Sequence, residues 1–164
     1  MHAILHGPTD VSLPSALRSA GIDLSDTTPA EILINLATDA EQAIASAEKF
    51  ADAVPPDQEA LVVNILHAYS PADWQGARAA SVLWAFTRHA ALLWAPRRIR
   101  VNAIGLATSP ILPTQPPESS GNAAGPAPAA LASLADIAAT ILAMWRLRSM
   151  TGQLIRLGAP EAMA

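Results

Sequence analysis

Ala60-Leu61-Val62-Val63-Asn64-Ile65-Leu66 is apolar at every position but one. It has no alternation of apolar and polar residues, so neither face is meant for water. A run of this length and β-branched content reads as a parallel strand covered on both sides, which places the chain among α/β proteins. Downstream, Ser70-Pro71-Ala72-Asp73 is a helix start, with a capping hydroxyl, proline at the first helical position and a carboxylate in the first turn. The spacing predicts a helix over 71–95, stopped by Pro96, and then a strand over Arg98–Ile104. Ser133-Leu134-Ala135-Asp136 opens another helix by the same logic, ending near Arg148, and Gln153–Leu157 forms a last strand.

Upstream, Ala3-Ile4-Leu5 lies between His2 and His6, and Gly7-Pro8 stops the run, so residues 2–6 read as a buried strand. Residues 8–27 are turn-rich, with a short helical piece around Ser15–Ala20. Thr28-Pro29-Ala30-Glu31 has the form of a capping box with proline at the first helical position. Leu33, Leu36, Ala40, Ile44, Ala47 and Ala51 then recur at helical spacing, which predicts a helix over 28–53 ended by Pro55-Pro56. Alternating strands and helices give a Rossmann-like, three-layer α/β domain over 1–164, with about four parallel strands and helices on both faces. Residues 105–131, rich in Pro, Gly and Ala, have no periodicity and read as a flexible loop.

Composition narrows the function classes. The chain has no cysteine, which removes disulfides, thiolate metal sites and cysteine nucleophiles and suits a cytoplasmic protein. A net charge of −4, with Arg97, Arg98 and Arg100 as the one basic cluster, gives no nucleic-acid surface. Residues 1–7 carry no secretory pattern, and no apolar run approaches the roughly eighteen residues of a membrane span. No metal site is expected.

The segment from Thr87 to Ile104, with Ala95-Pro96-Arg97-Arg98-Ile99-Arg100-Val101-Asn102-Ala103-Ile104 at its end, resembles the short-chain dehydrogenase/reductase family. In that family the catalytic helix runs into a strand reading APRGIRVNAI. Val62-Val63-Asn64-Ile65 is similar to the family's VNIS strand, and Thr151-Gly152-Gln153 to its closing TGQ strand. Ile34-Asn35-Leu36 resembles the VNL of its first long interface helix, and His6-Gly7 the end of NNAG. The resemblance implies a chain matching only the second half of the family fold, without three strands and two helices of the first half. The glycine-rich turn that holds the dinucleotide pyrophosphate would be lost with them, and no G-x-x-x-G-x-G occurs in the chain.

The resemblance also places the family's chemistry. Counting back from Val101-Asn102, its tyrosine proton donor falls on Gly76, its lysine on Ala80 and its serine on His67, while the relay asparagine corresponds to Asn35. Glycine donates no proton and alanine offers no charge. The residues therefore point to a non-catalytic assembly or binding module with no cofactor. The alternatives are an oxidoreductase using NAD or NADP and completed by another chain, or a different activity at the strand ends. There, His6, Asn35, His67 and Tyr69 form a candidate small-molecule pocket, since ligands of open α/β sheets bind at the C-terminal ends of strands. The two histidines, with Ser70 and Asp73, equally suit a purely capping role. The family's dimers pair two long helices, so the resemblance implies a homodimer through helices 28–53 and 71–95, with Trp84, Ala91 and Trp94 at the interface. Strand 2–6, beside the absent half, would be an open edge. Either residues 8–27, through Leu13, Leu17 and Ile22, or a protein partner would cover it.

Overall fold

The structure, a computed structural model, describes residues 1–7, 12–25, 30–36, 39–66, 74–106 and 133–158. In chain order the elements are β1 (His2–His6), α1 (Ser12–Ser19), β2 (Asp23–Leu24), β3 (Ile32–Leu36), α2 (Ala40–Ala53) and β4 (Ala60–Leu66). These are followed by α3 (Trp74–Trp94), a short 3-10 turn (Ala95–Arg97), β5 (Ile99–Leu106), α4 (Leu134–Arg146) and β6 (Leu154–Leu157). The strands form one parallel sheet in the order β2-β1-β3-β4-β5-β6. The sheet therefore has six strands among the described residues, not the four expected.

The two extra strands explain the main corrections. The helix expected over 28–53 begins at Ala40, and residues 32–36 form β3 instead. A surface helix buries one stripe, whereas all five residues of β3 are buried, as a doubly covered strand requires. The true N-cap is Asp39, whose carboxylate accepts from the backbone N–H groups of Glu41 and Gln42. Asn35 is therefore on a strand. It is β3 that leads into α2, so β3, and not residues 2–6, occupies the place assigned to His6-Gly7 by resemblance.

β1 is an interior strand, paired with β3 from Ala3 to His6 and with β2 at His2 and Ala3. The edge expected to be open at strand 2–6 is thus paired, over its first half, with residues 23–24 of the segment 8–27, one of the two covers expected. Leu13, Leu17 and Ile22 are fully buried beneath this corner. From β1 the chain steps outward to β2, then returns to β3 and proceeds the other way. This reversal is the switch point of a doubly wound sheet, and the order matches such a sheet lacking the strand outside β2. The first part of the fold is therefore present in shortened form.

Two apolar layers enclose the sheet. α1 and α4 cover one face, over Ile34, Val63, Ile65 and Ile104, with Ile137 of α4 in the same cluster. α2 and α3 cover the other, where the core divides into a lower cluster around Leu33, Phe50, Val62 and Trp94 and an upper one around Ala43, Leu66 and Leu83. α4 has the expected capping box, in which Ser133 and Asp136 bond each other's backbone N–H. The Ser133 hydrogen bonds hold the exposed Asp136 carboxyl below its ordinary range. At the other end of α4, Arg100 reaches from β5 and donates to the carbonyls of Met144, Trp145 and Leu147. These acceptors offset the burial that pulls its guanidinium pKa down.

Arg98, exposed between the 3-10 turn and β5, has φ of +59° and is the single non-glycine residue in the left-handed region among the described residues. The strand that this segment resembles has glycine there. Left-handed backbone costs a residue with a Cβ about 1–2 kcal/mol. Arg98→Gly is therefore expected to stabilise the protein by about 1 kcal/mol in urea denaturation. An unchanged or lower midpoint would show that the Arg98 side chain supplies an interaction worth as much.

Candidate functional site

In a doubly wound sheet the ligand crevice opens at the C-terminal strand ends beside the switch point. Here that position is framed by His6 and Gly7 after β1, Leu36 at the end of β3 and Leu66 at the end of β4. Of the four pocket residues expected from the sequence, His67 and Tyr69 lie outside the described residues, as do Ser70 and Asp73 and the segment 107–132. The expected loop start is corrected, because Gly105 and Leu106 belong to β5. His6 and Asn35 are brought together: they are register partners across β1 and β3, with His6 half-buried and Asn35 fully buried.

Asn35 is held by its surroundings. Its Nδ2 donates to the Ala43 carbonyl of α2 at 3.1 Å and to Asn64 Oδ1 at 3.0 Å. Asn64 Nδ2 donates in turn to Thr87 Oγ1 at 2.9 Å, and the threonine hydroxyl donates to the Leu83 carbonyl at 2.8 Å. Every link runs donor to acceptor in one direction, so both amide orientations are fixed. The amide assigned by resemblance to a water relay on a helix is therefore a tie between β3, β4, α2 and α3. Asn35 Oδ1 is buried without a hydrogen-bond partner among the described residues. Asn64 and Thr87 were not singled out from the sequence. The signal was the one polar residue inside the apolar run 60–66.

Gly76 and Ala80 lie in the first two turns of α3, and Ala80 packs against the upper apolar cluster that holds Leu66 and Leu83. The aromatic residues further along differ from expectation. Ala91 and Trp94 are buried, 3% and 7% exposed, in the lower cluster, with Trp94 edge-on to Phe86 at 5.7 Å. Trp84 is half-buried against the upper cluster. The large apolar residues that face outward on α3 are Trp74, Val82, Leu92 and Leu93, the last two 80% and 60% exposed. The lower half of the helix turns Trp94 inward because Phe86 and Ala90 already define that stripe.

Gly7 has φ of +113°, and a Cβ on it would stand 2.7 Å from the Leu36 carbonyl oxygen and 2.9 Å from Leu36 Cβ. The close approach that demands glycine is thus to β3. Ala80 offers no cation. Among the described residues no cluster of three or more His, Asp or Glu side chains suits a metal, and no helix is long and apolar enough to cross a membrane.

No family model and no curated protein matches the chain. Solved structures do. One is FolM alternative dihydrofolate reductase 1 from Brucella suis in complex with NADP, at 22% identity and a TM-score of 0.67, covering 95% of this chain and 92% of that one. Another is an oxidoreductase of the short-chain dehydrogenase/reductase family from Brucella ovis with a partially ordered NAD, at 14% identity and a TM-score of 0.62, covering 95% and 98%. A third is a short-chain dehydrogenase from Mycobacterium smegmatis, at 14% identity and a TM-score of 0.59, covering 98% and 93%. The parallel sheet, its strand order and these likenesses agree: the chain has the Rossmann-like fold of the short-chain dehydrogenases and reductases.

Proposed function

We propose that the chain is a non-catalytic, cytoplasmic module with the short-chain dehydrogenase fold, whose work is association and not hydride transfer. The observation that carries this reading is at the start of α3. The positions matching the family's proton donor and its lysine hold Gly76 and Ala80, and Ala80 is spent on apolar packing. Titration calorimetry with NADH and NADPH is expected to give no binding in the micromolar range. Micromolar binding, or reduction of any member of a carbonyl panel, overturns the reading.

A second reading keeps oxidoreductase activity and assigns the missing groups to another chain. The NADP and NAD named in two of the similar structures favour it. Cofactor binding by a complex isolated from the source cells, with none by the chain alone, supports this second reading over the first.

The association surface we assign is α2 together with the flank of α3 nearer to it, used by a second copy. Val82, Phe86 and Leu93 share one flank of α3 at helical spacing, and Phe86 packs in the cluster that also holds α2 residues Ala47 and Phe50. Val82 and Leu93 are exposed on that flank, and exposed apolar residues of this size mark interfaces. Light scattering should give about twice the chain mass. Leu93→Glu should halve it while leaving the circular dichroism spectrum unchanged. A mass unaffected by both Leu93→Glu and Val82→Glu would exclude this face. Trp84 is unsuitable for the test, because it packs inside the upper cluster.

A further inference from the structure

The other flank of α3 has a different character. Between it and the turn before β6 lies a hollow of about 470 Å³, lined by Ala85, Arg88, His89, Ala91, Leu92, Thr151 and Gly152. Its volume is in the range of small-molecule sites, roughly 300–1,000 Å³. It lies beside the N-terminal end of β6, away from the crevice at the C-terminal strand ends.

The floor is fixed and chemically quiet. Gly152, at φ +67°, presses against α3 so closely that a Cβ on it would meet Ala91 Cβ at 3.3 Å. Its N–H donates to the Val101 carbonyl at 2.7 Å, and Thr151 Oγ1 accepts from the Val101 N–H at 3.1 Å. The backbone of the floor therefore has little left to offer a ligand, and Ala85, Ala91 and Leu92 make the rest apolar. Arg88 and His89 alone bring a side-chain donor that is not already tied to the fold, and neither is ion-paired or hydrogen-bonded among the described residues. No Asp or Glu lines the hollow, in a chain whose net charge is −4. A guanidinium without a protein partner among the described residues, beside an imidazole at the rim of an apolar floor, suits an oxyanion on an aliphatic body that the floor desolvates; with one arginine and the Gly152 N–H already bonded beneath it, the hollow fits a singly charged carboxylate, held by two parallel hydrogen bonds, better than a phosphate.

We infer that this hollow is a binding site for a small aliphatic monocarboxylate, separate from the strand-end crevice and independent of whether the chain takes a nicotinamide cofactor. Octanoate is the probe, and amide NMR of the full chain is the measurement. Octanoate should give saturable shifts confined to Ala91, Thr151, Gly152 and their neighbours. Octanol should bind at least about tenfold more weakly, and Arg88→Gln should cost a similar factor. Ala85→Trp, which fills the hollow from an exposed position without altering its charges, should abolish the shifts. Both variants change exposed residues, and their spectra without ligand report that they are folded. Absence of saturation up to about 10 mM overturns the assignment. So do shifts that persist in Arg88→Gln and Ala85→Trp, or shifts that follow protein concentration and not octanoate, which would mean that a second copy fills the hollow.

Discussion

A one-way chain of buried hydrogen bonds, from the Asn35 amide through Asn64 to Thr87 and the Leu83 carbonyl, sets the register of the half of the molecule under α2 and α3. Asn35 and Asn64 are direct partners across β3 and β4. A slip of one residue in either strand would turn an amide to the opposite sheet face, among Ile34, Val63 and Ile65, where nothing could satisfy it. Each buried polar group left unpaired costs about 1–3 kcal/mol, so wrong registers are penalised more heavily than apolar side chains alone could penalise them.

The opposite face uses the same device at a different place. Asn102 donates to the Met150 carbonyl and accepts from the Gln153 N–H, tying β5 to the approach to β6, while Arg100 gathers the last carbonyls of α4. These ties involve backbone groups, buried amides, the Thr87 hydroxyl and the Arg100 guanidinium. None depends on the positions where the resembling family keeps its reacting groups. The fold can therefore persist with glycine and alanine at those positions, and with a first helix of eight residues and a second strand of two.

The sequence was legible where one physical signal dominated. β4 and β5 are apolar on both faces, and α4 carries its capping box within four residues, so their places followed directly. Residues 28–36 misled because Thr28-Pro29-Ala30-Glu31 imitates a helix start, while the stronger signal, five successive residues fit for burial, came after it. β2 is too short for any periodicity and exists only because β1 offers it a ladder. That misreading moved Asn35 from strand to helix, although a structural role for its amide was already the simpler reading. The orientation of α3 was half legible. Leu83 and Ala90 define the inward stripe, but an amphipathic pattern in which Trp94 and Leu93 are both apolar does not say which turns inward.

The account makes the amide chain, and not any bound nucleotide, the element that holds β3, β4 and α3 together. Asn35 and Thr87 each bond Asn64, so a double-mutant cycle between Asn35→Ala and Thr87→Val, followed by urea denaturation without cofactor, reads their link through the intervening amide. A coupling energy of about 1 kcal/mol or more is expected. Additive effects, within about 0.3 kcal/mol, would contradict a continuous chain and leave the register to apolar packing alone.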